Sequence, residues 1–149
     1  MAIARLREQQ LSSAATLYAD GSGPKWSFLE HLFQQPLARS WVFAKPEIIA
    51  CAWFSVIETE AELIDIRVLS HHQGSGIGRR LLSEALHQLG AEQVTTVYLE
   101  VRESNIAARK LYTSLGFLPE GRRAAYYPTV DGREDAVLMR RTILVNSTR

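Results

Sequence analysis

The residues whose types and spacing carry the most chemistry are Gln73-Gly74-Ser75-Gly76-Ile77-Gly78, a glycine-rich turn set between an apolar run and an amphipathic helix. A helix opening directly from a glycine turn aims several unpaired backbone N–H groups, and the positive end of its dipole, at one place. Glycines also let a ligand approach that backbone closely. The pattern predicts an anion site. Arg79 and Arg80 open the same helix, where cations oppose the dipole, so a bound phosphate would relieve a local electrostatic conflict. Spacing then separates the kinds of phosphate loop. A P-loop needs Gly-Lys-Ser/Thr, and no Lys follows Gly78; a dinucleotide fingerprint counted from Gly74 and Gly76 needs a glycine where Arg79 stands.

The elements that must position this loop follow from periodicity. Leu63 to Leu69 alternates apolar and polar residues in part, as a half-buried strand does. Ile77, Leu81, Leu82, Ala85, Leu86 and Leu89 then recur at helical spacing, with Gly90 where a left-handed C-terminal cap is expected. Upstream, residues 2 to 6 read as a strand, Glu8 to Tyr18 as a helix ended by Asp20-Gly21-Ser22-Gly23-Pro24, and Trp26 to Phe33 as a short helix closed by Pro36. Trp41 to Ala44, Glu47 to Thr59 and Glu60 to Leu69 read as antiparallel strands. Downstream, a strand over Val94 to Val101 leads into a helix over Asn105 to Leu115, capped by Ser104 or Asn105 and stopped by Gly116. Phe117 to Tyr127 and Asp135 to Leu144 read as two strands joined through Pro128, Asp131 and Gly132, and Asn146 to Arg149 as a frayed tail. The sum is a mixed α/β layer fold, a single domain over residues 1–149 with a central sheet of about seven strands flanked by about four helices.

Composition narrows the function classes. A chain of 149 residues can bury one continuous core, and 46% hydrophobic with 22% charged residues is ordinary for a soluble protein. The formal net charge of +1 provides no whole-protein field for nucleic acid or for a membrane surface. No basic-then-apolar leader opens the chain, and no apolar run approaches the roughly eighteen residues of a membrane helix, so a cytoplasmic protein is expected. Cys51, the sole cysteine, lies in an apolar run and reads as a core thiol; His71-His72 has no partner ligands at metal spacing, so no metal is expected.

Gln73, Gly76 and Gly78 meet the pattern Gln/Arg-x-x-Gly-x-Gly/Ala, which resembles the pyrophosphate loop of the GCN5-related N-acetyltransferases (GNAT), whose element order the chain shares. Leu99 to Asn105, Ala107-Ala108, Leu111-Tyr112 and Leu115-Gly116-Phe117 resemble the second coenzyme-binding segment of that superfamily. With Tyr126-Tyr127-Pro128-Thr129 and Asp131 to Ala136, up to Met139, the resemblance narrows to the bacterial ribosomal-protein-alanine N-acetyltransferases (RimI). It covers Ile64 to Met139, about half the chain; before that only Trp26-Ser27 is similar, with Lys25 where the family has proline. Arg67, Leu69 and Ser70 depart from the family's usual Ala and Asp-Pro, and Arg67 would alter substrate choice if it faced the groove.

The resemblance implies acetyl-coenzyme A as donor, no metal, and as acceptor the N-terminal alanine of a ribosomal protein. Coenzyme contacts would come from Ile66, Arg67, Val68, Gln73, Gly74, Ser75, Gly76, Ile77, Gly78, Arg79, Asn105 and Tyr112, with the backbone over 66–68 also supplying oxyanion donors. Glu100 corresponds to the general base, with Glu103 its nearest rival, and Tyr112 to the acid that assists thiolate departure. An α-amine of pKa about 8 is roughly a tenth neutral at pH 7, so a modest base suffices. Trp26, Tyr126, Tyr127, Glu134 and Asp135 would shape the acceptor groove, Glu134 and Asp135 together with Glu58, Glu60, Glu62 and Asp65 attracting a basic peptide. Alternative roles stand beside these: Tyr112 as core packing, Asn105 as a cap, Tyr126-Tyr127 as a hydrophobic turn, and Arg102, Arg122 and Arg123 as solvated side chains. Another protein N-terminus, a lysine or a small amine as acceptor, or a noncatalytic acyl-coenzyme A sensor, are the competing functions.

Overall fold

The computed structural model describes residues 2–143 and is built on one seven-stranded sheet. The strands are β1 (Ile3–Arg5), β2 (Ala38–Ala44), β3 (Ile48–Ile57), β4 (Glu60–Val68), β5 (Thr96–Arg102), β6 (Leu118–Thr129) and β7 (Gly132–Thr142), in the order β1-β2-β3-β4-β5-β7-β6. All neighbours are antiparallel except β4 and β5, which run parallel because a crossover helix joins them. The helices are α1 (Leu11–Ala15), α2 (Trp26–Phe33), α3 (Ile77–Ala91) and α4 (Ile106–Ser114). The expected mixed α/β layer architecture is therefore the one observed.

Helices cover both faces of the sheet, and the strand sequences show why. From Ile48 to Phe54, β3 is buried throughout: Ile49, Ala50, Ala52 and Phe54 enter one core, Ile48, Cys51 and Trp53 the other. The larger core receives the α3 stripe Ile77, Leu81, Leu82, Ala85, Leu86 and Leu89, with Tyr112 of α4 and Phe117. The smaller core lies under α1 and α2, where Tyr18, Trp26 and Trp53 pack with ring centroids 5.7 to 6.5 Å apart. Cys51 is fully buried there, as its apolar setting predicts, and burial pushes its thiol pKa up to about 11.

Several local details differ from the sequence reading. The first helical stretch is not a uniform helix: 3-10 turns over Glu8–Gln10 and Thr16–Tyr18 flank the single α-helical turn and a half of α1. Gly90 is not a left-handed cap. It stays inside α3, where a methyl would lie 3.0 Å from Ile143, and the left-handed residue falls instead at Gln93, with φ of 74°. The last hairpin is longer than expected, β7 beginning at Gly132, and its final strand inserts between β5 and β6. The C-terminal tail lies outside the described residues.

Asn105 caps α4, its side chain accepting from the Ala108 N–H at 3.2 Å. Loss of that bond in Asn105→Ala is expected to cost about 1 kcal/mol, which for this size lowers Tm by roughly 2–4 °C in a thermal melt.

Candidate active site

β4 and β5 pair only over Glu60 to Glu62 and Thr96 to Tyr98; beyond that the two strands diverge. The cause is visible in the register of β4 on β3. Trp53 faces Asp65 while Phe54 faces Leu63, so Ile64 is an extra residue, and the bulge bends β4 away from its parallel neighbour. It also switches the side-chain alternation: Ala61 and Leu63, then Ile66 and Val68, face the larger core, whereas Ile64 faces the smaller one. A cleft of about 870 Å³ opens between the parted strands, continuous with the glycine loop and bounded by α4.

The parting leaves backbone groups free. The Leu69 N–H donates to the Ile49 carbonyl at 2.7 Å, so by the alternation of an antiparallel ladder the Arg67 backbone bonds β3, and the Ile66 and Val68 groups turn toward the cleft. The Val68 carbonyl accepts from the Gln73 side chain at 3.1 Å, which ties the loop to the strand end. Gly74 and Gly76 sit at φ of 80° and 83°, a region where side chains are strained, and Gly76 leads directly into α3 with no side-chain cap on its first N–H groups. A methyl at Gly78 would meet Val68 and Leu111 at 3.4 and 3.8 Å, ordinary contacts, which suits the Gly/Ala alternative at that place in the pattern. Arg79 leans away from the loop onto Ser114, and Arg80 lies over the Phe43 ring at 5.1 Å.

Glu100 and Tyr112 both line the cleft; Glu103 does not. Val97, Leu99 and Val101 of β5 are buried in the larger core, so Glu100 faces the other way. Its Oε1 forms an ion pair with Arg123 Nε at 2.8 Å, and its charge, after burial, is the next largest influence raising the pKa of Glu62 and of Tyr127. Tyr112 packs edge-on against Phe117 at 5.9 Å and lines the cleft from α4. Burial, then the negative charge of Asp65, lifts the Tyr112 pKa well above that of an ordinary phenol, so it keeps its proton throughout the neutral range.

The remaining expected site residues are distributed unequally. Asn105 and Tyr127 line the cleft with Gln73, Gly74, Gly76, Ile77, Gly78 and Arg79, whereas Ser75 turns its hydroxyl back to the His72 carbonyl. Trp26 is packed in the smaller core rather than in the cleft, and Tyr126 is half exposed against Tyr127. Glu134 is bound by Arg102 at 3.0 Å and by both the N–H and hydroxyl of Ser104; the Ser104 hydroxyl bond is the main cause of its lowered pKa. Asp135 accepts from the Ala125 N–H at 2.9 Å and pairs with Arg122 at 3.4 Å. These two carboxylates thus brace the β6–β7 hairpin. Arg102, Arg122 and Arg123 are solvated, as expected, and each is also ion-paired, Arg102 lying 4.4 Å over the Tyr127 ring as well.

Residues the sequence reading did not place are Tyr18, Gly23 and Pro24. The Tyr18 hydroxyl donates to Asp65 at 2.6 Å and accepts from Trp53 Nε1 at 3.0 Å, while Gly23 and Pro24 close the cleft on the α2 side. No local signal marked them, because they reach the site only through packing across the bent β4. Among the described residues no group of three or more His, Cys, Asp or Glu side chains comes together.

The model of the Acetyltransferase (GNAT) family matches residues 4–117. The chain belongs to the GNAT acetyltransferase family. Among GNAT members, the [ribosomal protein bS18]-alanine N-acetyltransferase of Escherichia coli K12 is 46% identical over 93 residues, 62% of this chain and 63% of the relative. That of Haemophilus influenzae is 44% identical over 94 residues, 62% and 64% of the two chains. The matched segment thus spans less than two thirds of these curated relatives. The crystal structure of the ribosomal-protein-S18-alanine N-acetyltransferase from Escherichia coli superposes with a TM-score of 0.89 at 34% identity, covering 97% of this chain and 95% of that one.

Proposed function

We propose that this GNAT protein transfers the acetyl group of acetyl-coenzyme A to the α-amine of the N-terminal alanine of a ribosomal protein, the counterpart of bS18. The observation that carries the reading is the meeting of Glu100 from β5, Tyr112 from α4 and the free Ile66 and Val68 amides in one cleft continuous with the glycine loop. The names of the similar proteins support the acceptor.

Each part has a task in the proposed transfer. The loop amides and the α3 N-terminus hold the pyrophosphate, and the exposed edge of β4 holds the extended arm that leads to the thioester. The Ile66 or Val68 N–H stabilises the oxygen on which charge develops when the amine attacks the carbonyl. Glu100, whose Oε1 is paired with Arg123, takes the amine proton directly or through water. Tyr112 donates its O–H to the departing sulfur. The formal net charge is +1 and no helix among the described residues is long and apolar enough to cross a membrane; the reading needs neither nucleic acid nor membrane contact, and a cytoplasmic setting is part of the proposal.

The test is intact-mass measurement of a peptide with a free N-terminal alanine, and of the same peptide with a blocked N-terminus, each incubated with acetyl-coenzyme A and the protein. A gain of one acetyl group on the free peptide alone is expected; a gain on neither, with coenzyme binding confirmed, overturns the reading. Tyr112→Phe is expected to lower kcat by about 10²-fold with little change in KM for acetyl-coenzyme A or in Tm, because the lost hydroxyl serves the transition state while the ring keeps its packing on Phe117. Steady-state kinetics and a thermal melt check this.

A further inference from the structure

We propose that Arg67 is a positioning residue for the acceptor, strapping the loop between α1 and α2 onto β4 so that Gly23 and Pro24 form a fixed wall for the acceptor's first residue; this rests on the acetyltransferase reading. Arg67 lines the cleft on its smaller-core side. Its guanidinium crosses to the opposite face of the sheet and sits 4.3 Å over the Tyr18 ring. Nη1 donates to the Leu17 carbonyl at 3.2 Å, to Asp20 Oδ1 at 3.3 Å and to Ser22 Oγ at 3.0 Å, and Nη2 donates to the Ser22 carbonyl at 3.1 Å. Asp65 Oδ2 lies 4.0 Å from Nε, so two carboxylates offset the charge.

The loop is shaped around this group. Ser22 bonds Asp20 through both its N–H and its hydroxyl, and Gly21 and Gly23 adopt φ of 77° and 72°. A methyl on Gly23 would fall 2.3 Å from Arg67 Nη2, so the loop closes on the guanidinium only because that position has no side chain. Arg67 stands between Ile66 and Val68, the residues whose amides face the cleft. One residue therefore relates the edge that receives the acyl group to the wall that receives the amine. A lysine could not reproduce the several directed donors of the guanidinium fork.

The experiment compares wild type, Arg67→Ala, Arg67→Lys and Gly23→Ala. For each, KM is measured for the alanine peptide and for acetyl-coenzyme A, together with kcat/KM for peptides beginning with Ala and with Leu and the hydrogen exchange of amides 19–25 without substrates. Arg67→Ala is expected to raise the peptide KM about tenfold, to leave the acetyl-coenzyme A KM within about twofold, and to narrow the preference for Ala over Leu. Arg67→Lys restores wild-type values only in part. Gly23→Ala, which displaces the guanidinium from the other side, shares the phenotype, and exchange quickens at 19–25 but not in α3. Unchanged peptide KM and unchanged exchange in folded Arg67→Ala overturn the proposal, as does an equal rise in both KM values with the preference retained. If Arg67→Ala folds poorly, Ser22→Ala, which removes one acceptor, is put to the same criteria. Should wild type acetylate no peptide, the functional reading is what fails, and unchanged exchange at 19–25 then overturns the strap independently.

Discussion

Glu100→Gln is expected to lower kcat/KM by about 10²–10⁴-fold at pH 7, the usual contribution of a positioned general base. Glutamine keeps the size of the side chain and an oxygen for Arg123, so the fold should survive and the loss should fall on proton transfer. The defect has a pH signature. An α-amine of pKa about 8 becomes mostly neutral by pH 9, so the variant should recover part of its deficit as pH rises from 7 to 9. Glu103→Gln is the internal control, because Glu103 lies outside the cleft and pairs with Arg122 at 3.0 Å. Stopped assays of both variants across that pH range decide the matter: a Glu100→Gln enzyme at wild-type rate, or a Glu103→Gln enzyme with the larger loss, would remove Glu100 from the role.

Trp53→Ala is expected to cost about 3–5 kcal/mol in stability, the range for deleting a large aromatic from a core. Trp53 is fully buried, meets the Trp26 ring edge-on at 5.7 Å, and donates Nε1 to the Tyr18 hydroxyl at 3.0 Å and to Cys51 Sγ at 3.2 Å. Its removal leaves a cavity and strips Tyr18 of a donor in the region that seats the α1–α2 loop. Against a total stability of about 5–15 kcal/mol, this is a large share. Urea unfolding should show the midpoint falling with little change in slope; a loss below about 1 kcal/mol would mean that the smaller core collapses around the gap and contributes little.

Local signals made much of this molecule readable. The α3 stripe from Ile77 to Leu89 has an unambiguous period, and Gly74 and Gly76 do occupy a conformation that glycine alone adopts readily. Asn105 carries its capping role in its residue type and place. What could not be read depends on long-range packing. The bulge at Ile64, which parts β4 from β5 and makes the cleft, is a property of register against β3; the Leu63-Ile64 doublet interrupts the alternation there, but a doublet alone does not specify a bulge. With β7 inserted between β5 and β6, Arg123 reaches Glu100 across an intervening strand, and a hairpin's sequence does not say which of its strands joins the sheet. Arg67 looked out of place on a strand beside the coenzyme; its acceptors are about fifty positions away, on a loop that read only as a helix terminator. Gly90 was misassigned because its partner, Ile143, is equally remote.

The setting of Cys51 gives the protein a built-in reporter of its own opening. Alkylating reagents and aromatic disulfides attack the thiolate, and this thiol is both shielded from them and held protonated at neutral pH by a pKa of about 11. Modification in the native protein must therefore proceed through fluctuations that lift the α1–α2 cover from β3, and with one cysteine in the chain every labelled molecule records one such event. The labelling rate becomes a clock for the smaller core, faster wherever Trp53 or its neighbours are truncated and slower when an acceptor peptide clamps the loop above it.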